Sequence, residues 1–327
     1  MIEQVFENIY RIPVPLPDSP LRELNCWLIK GPPGARSLLV DCGFNHDVCE
    51  KAVRDALDEL GCTMEMTDIF LTHLHADHTG LAFRLKTPGT RVFIRACDGM
   101  HMNGLLTEKY WEDMTAFLAP MGVPADKRMD VHDHPGYLNR GGAPVGFTPV
   151  NDGWRVAVGG YRFEAVDLAG HTPGQLGLWE MNHRILIGGD HVLNHISPNI
   201  CLWDYDNDYL AIYLRNLKKV KTMQLRTVLP AHRAVITAVD ARVDELLQHH
   251  TRRLDEICGL LENGDQTVWE LAHDMHWDYG GGKFAGFADA QRWFALLEVF
   301  AHTEHLRRME KISCVEHESG WVYHMNH

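Results

Sequence analysis

The run Thr72-His73-Leu74-His75-Ala76-Asp77-His78-Thr79-Gly80 sets three imidazoles and a carboxylate within one short stretch. These are ligand types for borderline divalent cations, and several imidazoles packed together without a cation are costly. His73 and His75 stand two apart, so extended backbone would project them the same way onto one ion. Asp77 and His78 follow a turn and can face a second ion. With 21 histidines in the chain a single one says little, so the fixed spacing carries the signal.

The stretch follows Asp68-Ile69-Phe70-Leu71, which reads as a buried strand, and precedes a helix start at Leu81–Leu85. Sites in open α/β sheets collect at such strand ends. Three later segments repeat the pattern. Gly170-His171-Thr172-Pro173-Gly174 follows Tyr161–Val166, Gly188-Gly189-Asp190-His191 follows Arg184–Ile187, and Pro230-Ala231-His232-Arg233 follows Thr227–Leu229. Each time a short β-like run ends, and Gly or Pro beside a His or Asp lets the chain turn sharply.

The ordered pattern H-x-H-x-D-H, then a distant His, an Asp and a final His, resembles the metallo-β-lactamase superfamily over roughly the first two-thirds of the chain. The resemblance implies that His73, His75 and His171 hold one metal, Asp77, His78 and His232 a second, and that Asp190 bridges both. All seven positions carry the expected residue type. Position 190 is Asp, which departs from the cysteine-containing set of the penicillin-degrading branch and is similar to glyoxalase II-like hydrolases. The implied fold class is α/β, a four-layer αββα sandwich with the metals along one sheet edge.

Such a ligand set suits two divalent metal ions, Zn²⁺ foremost, with Fe or Mn as alternatives. Two ions about 3.5–4 Å apart can share a water, generate hydroxide near neutral pH and polarise a carbonyl or phosphoryl oxygen. The expected activity is hydrolysis through a metal-bridging hydroxide, with Asp77 and Asp190 as catalytic residues and Asp77 orienting the hydroxide. The leading substrate class is a small-molecule thioester, ester or lactone. The alternative is a phosphodiesterase or endoribonuclease, since the same chemistry attacks phosphorus.

The elements that must position these residues read as strands at Ile9–Val14, Asn25–Lys30, Ser37–Asp41 and Arg91–Ile94, with an amphipathic helix over Val48–Leu60. A second half supplies strands near 154–158, 161–167, 176–180, 184–188 and 227–229, and a helix over Tyr209–Met223. Residues 1–238 form the expected catalytic domain, interrupted at about 99–150 by a Met- and aromatic-rich insertion. That insertion is either an extra packing layer or a cap over an apolar substrate pocket. His132 and His134 within it are expected at the surface.

Residues 239–327 are expected to form a separate unit. They read as a long helix, a second helix capped by Thr267 with Glu270, a break at Gly280–Gly282, a third helix over Ala288–Met309 and a hairpin around Ser319-Gly320. This resembles a winged-helix module appended to some hydrolases of the superfamily. Arg292, Arg307, Arg308 and Lys311 could give one basic face, but Glu298, Glu304 and Glu310 share the helix region, so packing beside the site or building a homodimer is favoured over nucleic acid.

At 327 residues the chain can bury ample core. Its net charge of -13 disfavours polyanions, and no apolar run reaches bilayer-spanning length. Eight scattered cysteines without a C-x-x-C pair and an N-terminus without signal-peptide character point to a cytoplasmic protein. Four lesser expectations concern residues near the motifs. Asp41, ending an early strand as Asn25 also does, can bond a ligand histidine. His191 is either a donor behind the site or a turn residue, and His195 can contact substrate. Asp204–Asp208 reads as a solvated acidic turn opening a helix.

Overall fold

Strands β1 (Glu3–Phe6), β2 (Ile9–Pro15), β3 (Glu23–Ile29) and β4 (Ser37–Val40) form an antiparallel meander in the computed structural model, which describes residues 1–278 and 282–326. β3 and β4 are buried on both faces, as their near-continuous apolar runs require. Helix α1 (Asp47–Glu59) starts where the His46 ring accepts from the Val48 amide, carries Asp47 and Glu50 in its first turn, and buries Cys49, Val53, Ala56 and Leu57. Parallel pairing then adds β5 (Thr67–Phe70), β6 (Val92–Ile94) and β7 (Thr148–Pro149), so the seven-stranded sheet follows chain order.

Short helices α2 (Ala76–Thr79) and α3 (Ala82–Leu85) leave β5. Between β6 and β7 the insertion folds into α4 (Ala96–Gly104), α5 (Glu108–Phe117) and α6 (Pro135–Leu138). His132 is exposed as expected, but His134 is half-buried. Its Nδ1 accepts from the Gly136 amide to cap α6, while its ring packs against Trp111, Trp293 and Phe294.

The second sheet runs β12-β11-β10-β9-β8, from β8 (Arg155–Val158), β9 (Tyr161–Asp167), β10 (Leu176–Glu180), β11 (Ile185–Gly189) and β12 (Thr227–Pro230). Only β11 and β12 pair in parallel, joined through α7 (Tyr209–Thr222), as a parallel connection demands a crossover. Trp27, Val40 and Phe70 of the first sheet meet Phe163, Leu178 and Ile187 of the second in the central core. Helix α1 covers the outer face of one sheet and α7 that of the other, which gives the four layers.

Beyond these lie α8 (Val239–Leu261), β13 (Gln266–Thr267), α9 (Val268–Asp274), α10 (Asp289–Arg308), β14 (Ile312–His317) and β15 (Gly320–Met325). The Thr267–Glu270 capping box is present at α9, and β13 joins the terminal hairpin as a third strand. Of the expected glycine break, Gly280 and Gly281 lie outside the described residues. One apolar cluster runs from Leu186 and Val228 through Tyr213 and Leu246 to Phe300 and Tyr323, so these helices complete the layer over the second sheet.

Candidate metal centre

Four loops, each at the end of a strand, converge on one place. After β5 the chain leaves extended geometry at once, yet His73 Nε2 and His75 Nδ1 still stand 3.0 Å apart. His171 Nε2, from the loop after β9, lies 2.9 Å from the same His75 nitrogen. Asp77 and His78, on α2, meet His232 from the loop after β12: His232 Nε2 is 3.2 Å and His78 Nε2 3.7 Å from Asp77 Oδ2.

Asp190, just past β11, stands between the two groups. Its Oδ2 is 3.7 Å from His171 Nε2, while its Oδ1 is 3.6 Å from both His78 Nε2 and His232 Nε2. All seven residues singled out in the sequence are thus brought together. The sets His73/His75/His171, His73/His78/Asp190 and Asp77/His78/His232 each have the ligand-atom spacing that one metal ion needs.

The polar atoms themselves test whether cations fit. His78 Nε2, His232 Nε2 and Asp190 Oδ1 are buried, face one another and have no hydrogen-bond partner among the described residues. Buried polar atoms are rarely left so, and nitrogen lone pairs aimed at carboxylate oxygens are satisfied together only by a positive charge between them. Burial, and then the neighbouring imidazoles, hold His73 far below its usual range and His75 at about 3, leaving both neutral as ligation requires. Burial works the same way on His78 and His232, but the carboxylates around them outweigh it and raise both. The carboxylates of this half thus favour a positive charge beside these two rings.

Four of the five imidazoles are aimed by a partner on the far nitrogen. His78 Nδ1 donates to Asp41 Oδ2 at 2.8 Å, the expected role for that residue, and Asp41 also accepts from the Thr72 amide and hydroxyl. His73 Nδ1 stands 3.0 Å from the Thr72 oxygen. His171 Nδ1 donates to the Asn199 carbonyl at 2.6 Å, and His232 Nδ1 to the Glu23 carbonyl at 3.0 Å. Asn25, inside β3, ties down the His232 loop by donating to the Pro230 and Arg233 carbonyls. Gly189, at a φ of 54°, lets β11 pass Thr72, where a Cβ would fall 2.8 Å from its hydroxyl oxygen.

Several residues near the site lacked any signal in the sequence. Asp98, at the start of α4, is fully buried and accepts from the Leu74 amide and the Thr172 hydroxyl, clamping the His73 loop to the His171 loop. Burial pushes its carboxyl up to about 6 against these bonds. Trp203 donates to the His171 carbonyl, and its ring lies 5.9 Å from that of His75. His101 and then Tyr110 continue this aromatic wall into the insertion. Of the lesser expectations, His191 is buried beside Tyr213, burial holding it at about 3, and His195 is exposed. Asp204–Asp208 does open a helix, with Asp208 capping α7 at the Ala211 amide and residues 205–207 exposed, while Asp204 is half-buried and accepts from Tyr209 and Asn207.

Comparisons with known proteins bear on the family and the fold. The sequence model of the metallo-beta-lactamase superfamily matches residues 20–232. A solved metallo-beta-lactamase family protein from Thermus thermophilus is 28% identical, with a TM-score of 0.83 over 99% of this chain and 100% of that one. A beta-lactamase-like protein 2 homolog of Caenorhabditis elegans is 30% identical over 40% of this chain and 43% of its own length. An atrochrysone carboxyl ACP thioesterase of Aspergillus fumigatus is 23% identical over 74% of this chain and 49% of its own. The chain thus spans less than half the length of these two relatives.

Proposed function

Because the chain belongs to the metallo-β-lactamase superfamily, and on that footing is a metal-dependent hydrolase, we propose that it cleaves a small-molecule acyl bond: a thioester, ester or lactone. The observation that carries this reading is the Asp190 carboxylate, whose two oxygens face two separate nitrogen groups. His73, His75 and His171 would hold one divalent ion, Asp77, His78 and His232 the other, and Asp190 both. Zinc is the ion that these donors suit first, with iron or manganese as alternatives. Two such ions supply an acidified water and a Lewis acid at neutral pH.

The chain's own residues do the rest. Asp77 is half-buried beside His78 and His232, where it can orient a water. The Asn199 carbonyl fixes the His171 tautomer, keeping Nε2 directed inward. Trp203, His101 and Tyr110 offer an apolar flank to an acyl group and keep bulk water from it.

The phosphodiester alternative finds less support. Arg307 is paired with Glu304, Arg308 donates to the Tyr205 and Asp206 carbonyls, and Arg292 lies on Asp289, so each of these basic residues of α10 already has a partner within the chain. The thioesterase name of a distant relative favours acyl chemistry. Unpaired cysteines suit a reducing cytoplasm, and no helix among the described residues is long and apolar enough to cross a membrane.

The test is turnover of acyl-glutathione, acyl-CoA, lactone and phosphodiester substrates with and without chelator. Thioester or lactone hydrolysis should vanish with chelator and return with zinc. Asp190→Asn should lose more than the roughly 10–100-fold that removing an outer partner of a metal ligand costs. Diester cleavage without acyl turnover would reverse the assignment.

A further inference from the structure

The carbonyl that orients His171 belongs to a segment with no regular structure, running from Asp190 to Asp208, so something else must fix it. Restraints come from two C-terminal helices, α8 and α10. Asn199 Nδ2 donates to the Phe294 carbonyl at 2.9 Å and lies 3.2 Å from Glu298 Oε2, both on α10. Glu298 is steadied in turn by Arg253 of α8, whose Nε is 3.4 Å from Oε1. Arg242 of α8 holds the same segment upstream, donating to the Leu193 and Ile196 carbonyls at 2.7 and 2.8 Å.

We propose that Asn199 and Glu298 are positioning residues for the metal centre, through which α10 sets the aim of His171. The inference rests on the metal-centre reading above. A carbonyl 2.6 Å from His171 Nδ1 fixes both the tautomer and the ring angle, and its own place is set by the Asn199 side chain. Outer partners of this kind govern metal affinity as well as rate. The C-terminal helices thereby become part of the hydrolytic machinery without touching substrate.

The test is zinc affinity of the full-length metal-free protein, titrated against a chromophoric chelator with no substrate present. Asn199→Asp keeps the side-chain volume but removes the donor and sets a carboxylate against Glu298. Zinc affinity should fall about tenfold or more. Adding Glu298→Gln returns a donor to the pair and should recover most of the loss, which a merely structural defect would not allow. Melting of the metal-free protein should stay close to wild type. If the first variant fails to fold, Glu298→Ala at the far end of the relay is read by the same criterion. Wild-type affinity in these variants, with wild type itself binding zinc, overturns the relay alone. Failure of wild type to bind zinc overturns the metal centre and the relay together.

Discussion

The Asp98 carboxylate does for the loops what Asp190 does for the ligand groups. One oxygen accepts from the Leu74 amide between two histidines and from the Thr172 hydroxyl beside a third. An amide can keep that oxygen in place but turns its N–H bonds toward the Gly174 amide, which bonds the second carboxylate oxygen. Asp98→Asn should therefore lower unfolding free energy by about 1–3 kcal/mol, the cost of leaving a buried donor unmatched, as a denaturant melt would register. An unchanged midpoint would show that the clamp contributes nothing. At this scale the sequence was legible where spacing was local: His73, His75, Asp77 and His78 sit within one turn, and each remaining ligand stands beside a strand end marked by Gly or Pro. Asp98, Asn199 and Trp203 act on partners 24 to 99 residues away and carry no local pattern, so nothing in their surroundings announced them.

Among the elements, the insertion and α10 meet at His134. Burial holds its imidazole at about 4, below the ordinary 6.5, so it is folded in neutral form. The unfolded chain takes up that proton first on acidification. The stability from this residue is complete above pH 6.5 and drains away as pH falls toward 4. His134→Asn keeps an acceptor for the Gly136 amide and removes the titration. The variant should lose less melting temperature than wild type between pH 6.5 and 4, and equal losses would discount the residue as an acid-sensitive joint. Strand and helix positions followed from alternation and helical spacing, and the Thr267–Glu270 capping box from its own signature. The place of His134 did not, because a polar loop residue gives no sign that a distant helix will cover it.

Seen whole, the molecule divides its proposed ligands between two sheets. His73, His75, Asp77 and His78 follow a strand of one, and His171, Asp190 and His232 follow strands of the other. Bound ions therefore tie the sheets together, and free zinc should raise the melting temperature. A concentration of about 100 times the dissociation constant corresponds to about 2.7 kcal/mol. Calorimetry in zinc and in chelator would read the shift, and identical melts would mean that the ions do not bridge the sheets. The dependence of the Asn199 carbonyl on α10 has a consequence for biosynthesis. A nascent chain has released every ligand by His232, yet the brace begins only at Asp289. If Asn199 is held as proposed, tight ion binding waits for the finished protein, and a ribosome-bound intermediate would hold a cation about tenfold more weakly.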